Sequence, residues 1–257
     1  MFLHEVENME RTVFIMEMRI GHRILITVLG ILIGIFVLSN QTFGQLSHKG
    51  AFTAYVEAEL TKAQSNIDNV IRVSGKGSFD HALALYSYLY LTMADMDEDA
   101  FDVHIDETLE ILENLTESGE NQAEAMALMS SVQGLRIAHD PWRAMTAGTK
   151  SGRYISAAMS KNPDHPLVQK LNAGYLLHTP GMFGGDNEEA LIMFQKAIQG
   201  YEKSGMTTNN WLYLDSVVGL AQTQIKLNDK EGARKALQKC LEIAPNFGWA
   251  KELSRTL

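Results

Sequence analysis

Apolar side chains recur with helical spacing along most of this chain. Over 229–244, Ala233, Ala236, Leu237, Cys240, Leu241 and Ala244 fall at i, i+3, i+4, i+7, i+8 and i+11. Lys230, Glu231, Arg234, Lys235, Gln238, Lys239 and Glu242 cover the opposite face, as an amphipathic helix requires. Asn228 or Asp229 stands at the capping position, and Pro245 stops the run. Residues 187–203 repeat the scheme with Ala190, Leu191, Phe194, Ala197, Ile198 and Tyr201 inward; Asp186 is placed to cap them and Glu189 to return the hydrogen bond. In 98–117 the inward set is Phe101, Ile105, Leu109, Leu112 and Leu115. Strand-like alternation is missing throughout. The spacing predicts helices near 49–73, 78–95, 98–117, 121–139, 141–161, 165–178, 187–203, 209–227, 229–244 and 247–256. Short connections join them into about five antiparallel hairpins, an all-α fold.

The N-terminus follows a different pattern. Ile24 to Leu38 is an uncharged apolar run of fifteen residues, preceded by Arg19 and Arg23 and followed by Ser39, Asn40, Gln41 and Thr42. Basic, apolar and small-polar segments in that order are what a secretory signal peptide needs. Fifteen residues are short for a permanent span, which takes about 20, so a retained anchor is the weaker alternative. Thr42-Phe43-Gly44 resembles a small-x-small cleavage pattern, and without a cysteine nearby a lipid anchor has no attachment point. The expectation is a signal peptide over 1–44 and a helical-repeat domain over 45–257, exported to the periplasm. Glu5, Glu7, Glu10 and Glu17 make the leader acidic; a start at Met18 would restore an ordinary basic one.

The helical part also repeats itself. With Pro245 as the last landmark of a 34-residue unit, Ala233, Leu237 and Cys240 occupy the small-large-small positions of a second helix. Leu220 and Ala221 fall on the paired positions of a first helix. The unit 214–247 resembles a tetratricopeptide repeat, departing from it at Val217 and Gln224. The unit before it matches through Ala173-Gly174, Leu177, Ala190, Phe194 and Ala197, with four extra residues in its turn. That extended turn, His178-Thr179-Pro180-Gly181-Met182-Phe183-Gly184-Gly185-Asp186, follows Asn162-Pro163-Asp164-His165-Pro166 and precedes Pro245-Asn246-Phe247-Gly248-Trp249. Together these segments are similar to those of exported bacterial tetratricopeptide-like proteins. The resemblance implies a solenoid in which the first helix of each pair lines a concave groove. Val168, Leu171, Tyr175 and His178 would then face the groove from one helix, and Asp215, Val218, Gln222 and Ile225 from another. Tyr175, His178, Asp215 and Gln222 are the side chains expected to touch a ligand.

Composition removes several function classes. A single cysteine in 257 residues excludes a disulfide framework, a cysteine-rich zinc cluster and a CxxC redox pair. A net charge of −9 argues against a general nucleic-acid binder, which needs basic surface to displace counterions. The charge is also unevenly spread. From Gly77 to Leu135 there are thirteen Asp and Glu and no Lys or Arg, whereas Arg136 to Lys170 holds six basic residues against Asp140 and Asp164. Solvated helix faces explain such a map; a basic partner on the acidic half, or head-to-tail self-contact, is the sharper alternative.

Chemistry-bearing motifs are sparse. Asp95, Asp97, Asp99 and Asp106 echo a calcium loop, but Ala100 replaces its turn glycine and helical periodicity runs through it. Gly184-Gly185-Asp186 reads as a turn and cap, with Phe183 packed inward, because an anion site would want a cation that the loop lacks. Trp142 and Trp249 read as packing anchors and Cys240 as a small buried hydrophobe. No nucleophile elbow, P-loop or metal-type histidine pair occurs. The expected function is therefore a non-enzymatic periplasmic scaffold holding a protein or peptide partner in its groove. It would have no cofactor, no metal and no catalytic residues, and would meet a membrane only through its N-terminal signal. A small-molecule binder serving an envelope transporter is the alternative; a hydrolase using unrecognised carboxylates is a third and weaker option.

Overall fold

A computed structural model describes residues 49–119 and 121–257 of the chain. Everything below belongs to the unit Ser47–Leu257. The expected signal peptide, its cleavage point and the Met18 start lie outside the described residues.

The described residues form helices and no strand. In order these are α1 (49–57), α2 (Leu60–Ser74), α3 (Phe79–Leu91), α4 (Glu98–Ser118), α5 (Gln122–His139), α6 (Ala144–Lys161), α7 (Pro166–His178), α8 (Asn187–Lys203), α9 (Trp211–Lys226), α10 (Lys230–Ile243) and α11 (Gly248–Arg255). Three hairpins, α5/α6, α7/α8 and α9/α10, stack so that α5 also meets α3 and α7, and α7 meets α9. That is the tetratricopeptide-like solenoid: α3, α5, α7 and α9 form an inner layer, and α4, α6, α8 and α10 an outer one. The single helix expected over 49–73 is instead two. Ala58 adopts φ 54°, in the left-handed region, and the chain turns there between α1 and α2.

Sequence explains where these helices start and stop. Asp97 accepts from the Ala100 N–H at 2.9 Å and caps α4, so the calcium-like aspartates open a helix rather than ring an ion. Asp186 caps α8 by accepting from the N–H groups of Glu188 and Glu189. Its own N–H donates to the Leu176 carbonyl, so Glu189 does not close the expected reciprocal bond. Asp140 caps a 3-10 turn, Pro141–Arg143, that precedes α6. Asp229, rather than Asn228, caps α10.

Inner and outer helices bury different amounts of themselves. Eleven of the sixteen residues of α9 and ten of the thirteen of α3 are buried, against four of fourteen in α10. An outer helix needs only one apolar stripe. Burial all round the inner helices means that something covers their hollow side too. Cys240 lies fully buried on the inward stripe of α10, where burial pushes its thiol up to about 12. Two aromatic expectations fail: Trp142 and Phe183 are exposed rather than packed, because each sits on a turn that projects beyond the helix ends. Trp249 does pack, edge-on to Tyr55 and Phe247.

The α7–α8 turn shows why glycine is needed there. Gly184 has φ 99°, and a Cβ on Gly185 would overlap the carbonyl oxygen of Thr179. Gly185→Ala is expected to lower unfolding free energy by about 1–3 kcal/mol, since backbone must move to admit the methyl. Gly174→Ala, in α7 with open space around it, should be neutral or stabilising by up to about 1 kcal/mol. Urea titration of the two variants checks the contrast; equal effects would contradict it.

Candidate functional site

Two apolar inner helices each carry one Lys, Arg, Asp or Glu within their buried stretch: Lys170 in α7 and Asp215 in α9. The fold brings the two together at the floor of the hollow, Lys170 Nζ 2.7 Å from Asp215 Oδ2, with both side chains almost fully shielded. Two phenols complete the carboxylate: the Tyr55 hydroxyl donates to Asp215 Oδ1 at 2.5 Å and the Tyr90 hydroxyl at 3.1 Å. Around the ammonium stand the rings of Tyr90, Trp211 and Tyr86, with centroids 5.3, 5.6 and 5.8 Å away. The Tyr86 hydroxyl hydrogen-bonds Ser131 of α5 at 2.8 Å. Residues from α1, α3, α5, α7 and α9 thus meet at one buried point.

Burial and then the Asp215 charge raise the Tyr55 and Tyr90 phenols well above their ordinary range, so both stay protonated and can donate. For Lys170, burial alone favours the neutral amine, but Asp215 and Tyr86 outweigh it and raise the pKa. A raised folded value means that the ammonium's contribution is fully present below the unfolded lysine value of about 10.4 and fades as pH climbs through the folded one. Across neutral pH the Lys170 ammonium therefore keeps its proton. A satisfied, shielded network of this kind orders the fold and offers no reacting group to solvent.

Tyr55 is the lid on this floor. Its ring packs on Phe247 at 5.1 Å, Trp211 at 5.4 Å and Tyr90 at 6.2 Å. Ala51 and Ala54 of the same helix are buried. The hollow that was expected to receive a guest is occupied by α1 and the Phe247–Trp249 segment.

That closure decides where the four expected ligand-touching residues stand. Asp215 is sealed in the ion pair. Tyr175 is half-buried beneath the α7–α8 turn, its hydroxyl donating to the Phe183 carbonyl at 3.3 Å. His178 is exposed at the end of α7, and Gln222 is half-buried on α9. His178 feels the charges of Asp215 and Lys170, but Asp215 is sealed from solvent and His178 is exposed. Sequence reasoning passed over Tyr55, Tyr86, Tyr90, Lys170 and Trp211. The legible signal was a lone cation and a lone anion inside two apolar helices, since unpaired charges are not buried.

A separate cleft of about 580 Å³ opens where α1, the α8–α9 turn and α10 come together. Glu202, Tyr213, Lys239 and Glu242 line it with Phe52, Ile243 and residues 207–209. Glu202 accepts from Lys239 Nζ at 2.6 Å and from the Tyr213 hydroxyl at 2.9 Å. The hydrogen bond from Lys239 holds the Glu202 carboxyl below the usual range. The cleft therefore presents a fixed ion pair between apolar ends, in the volume range of ligand sites. Among the described residues no group of His, Cys, Asp and Glu is arranged to hold a metal ion.

Comparison with known proteins agrees with this architecture. Residues 214–247 match the tetratricopeptide repeat family, on the unit that the sequence spacing delimits. The chain is similar in fold to a solved structure, the HusA haemophore from Porphyromonas gingivalis. The match has 20% identity and a TM-score of 0.54, and covers 72% of this chain and 94% of that one. No curated protein matches the chain in sequence. Tetratricopeptide repeats are typically non-catalytic modules of protein interaction.

Lys170→Met should destabilise by about 3–5 kcal/mol, because Asp215 is left charged and buried. Adding Asp215→Asn should recover a large part of that loss, since the amide oxygen still accepts from Tyr55 and Tyr90 and no charge is stranded. Equal destabilisation of the single and double variants in denaturant titrations would contradict the role given to the pair.

Proposed function

We propose that the chain is an exported, non-enzymatic tetratricopeptide-like scaffold that holds a segment of another protein in the periplasm. The observation that supports this reading most is the occupied hollow. The inner face of α3, α7 and α9 already binds a helix, α1, through an aromatic side chain seated on a polar floor. A surface that receives a helical segment of its own chain is built for recognising polypeptide. The apolar run 24–38 behind Arg19 and Arg23 supports export. A sealed ion pair, with no solvent-facing nucleophile and base beside it, supports a binding role over a catalytic one.

The cleft favours a second reading, a small-molecule-binding accessory protein of an envelope transporter. Its 580 Å³ suits a compact ligand, and the Glu202–Lys239 pair would orient a polar group within it. The haemophore resemblance adds a fold in common and, at 20% identity, no ligand.

Photo-crosslinking in intact cells, with reactive groups at Phe52 and Lys239 in the cleft and at exposed Thr146 on α6, separates the two. The scaffold reading expects one protein adduct recovered reproducibly from the envelope fraction. Stabilisation by a small molecule, without a protein adduct, would favour the second reading, and turnover by the purified protein would overturn both. Terminal sequencing of the envelope-derived protein should begin at Gln45; a cytoplasmic, uncleaved chain would contradict export.

A further inference from the structure

The most exposed apolar side chains among the described residues lie on turns at one end of the stack. Successive helices run antiparallel, so the α3–α4, α5–α6, α7–α8 and α9–α10 turns share an end. Direct contacts tie the α3–α4 turn to the end of α5 and the end of α9 to the end of α7. Thr92 hydrogen-bonds His139 at 3.0 Å, and Phe101 stacks on His139 at 4.3 Å. Lys226, at the end of α9, reaches the Leu177 carbonyl at 2.5 Å. At this end Trp142 is 96% exposed, Met145 89%, Met182 84% and Phe183 66%, the four most exposed large hydrophobics among the described residues. Met96 lies on the neighbouring turn, Val103 and Ile192 lie on α4 and α8, and among the described residues the opposite end exposes Val73 and Met206, both less than half. Apolar surface that crowds to one end of a molecule marks a contact site, whereas scattered residues do not.

Charge identifies what the surface fits. Asp95, Asp97 and Asp99 flank it on one side, and Asp186, Glu188 and Glu189 on the other; the α3–α4 and α7–α8 turns hold no Lys or Arg, and at the α9–α10 turn beyond them Lys226 and Lys230 are balanced by Asp229 and Glu231. Between them Arg143 is paired with Asp140 at 3.0 Å. A negative rim repels an anionic lipid surface and attracts a cationic partner, steering its approach. We infer that this end of the stack docks a basic segment of another protein, whose apolar side chains cover Trp142, Met145, Met182 and Phe183 and whose Lys or Arg meet the two carboxylate clusters. This deepens the scaffold reading and moves its contact surface away from the filled hollow and from the cleft.

The test uses the full chain and a fluorescent peptide of about four helical turns, built from Leu and Lys on opposite faces. Matched Leu/Glu and Ser/Lys peptides, and vesicles of phosphatidylglycerol, serve as competing probes. Saturable binding of the Leu/Lys peptide is expected, weakening with salt and shielding Trp142 from acrylamide, with the signal assigned by Trp142→Phe. Replacing Trp142, Met145, Met182 and Phe183 by Ser, or making Asp95→Asn, Asp99→Asn, Glu188→Gln and Glu189→Gln together, should each weaken binding by about tenfold or more. The second set leaves the caps Asp97 and Asp186 in place. Val73→Ser with Met206→Ser should change nothing. Equal binding of the Leu/Glu peptide, unchanged affinity in the first two sets, shielding of Trp142 by the vesicles, or shielding by self-association alone would each overturn the inference. A crosslinked envelope partner that the serine variant still retains would sink this surface and spare the scaffold; peptide binding without any envelope partner would do the reverse.

Discussion

A lysine and an aspartate cannot be buried separately in the interior of a protein this size. Lys170 and Asp215 are tolerable only because α7 and α9 bring them to 2.7 Å and because Tyr55 and Tyr90 both donate to the other oxygen of the carboxylate. That requirement reaches through most of the domain. It fixes the spacing of the inner helices, and it recruits Tyr86 and Trp211 around the ammonium. It also gives α1 a reason to lie in the hollow rather than in solvent, since Tyr55 supplies one of the two hydroxyls. Without that lid the carboxylate would lose a hydrogen bond and gain water. A stack of hairpins, each contacting only its neighbours, would otherwise have no long-range tie. Here a bond spanning 160 residues closes it.

Closing the stack redistributes its surfaces. An open solenoid offers its concave side, whereas this one spends that side on its own chain and leaves two others. The cleft between α1 and α10 is partly polar and carries a fixed ion pair. The turn end is apolar with an acidic margin. Binding through turns also suits the chain's chemistry, because Pro141 and Pro180 open 3-10 turns that hold the projecting residues on short connections rather than long loops.

The outer helices and the final repeat were plain in the sequence because one apolar stripe over polar neighbours leaves little choice of structure. In α10 the stripe from Ala233 to Cys240, and in α8 that from Ala190 to Ile198, are the buried sets. The inner helices were harder to read for the opposite reason. Buried on all sides, α3 and α9 have no polar face to set the register, so a groove-facing stripe through Asp215 and Gln222 followed from the repeat resemblance alone. The turn at Ala58 left no trace, since alanine is a strong helix former and only tertiary packing places it at φ 54°. Trp142 and Phe183 looked like core residues from their chemistry, and nothing local announced that their turns project into solvent. The placement of α1 was equally invisible, since its partners lie at the far end of the chain.

Native-state hydrogen exchange along α1 tests the closed hollow most directly. If Tyr55 and the ion pair tie the first helix into the core, its amides over 49–57 exchange only with global unfolding, alongside those of α9. Amides of α1 that exchange through a separate, low-energy opening while α9 stays protected would mean that the hollow is in fact open, and that the lid is only loosely laid on it.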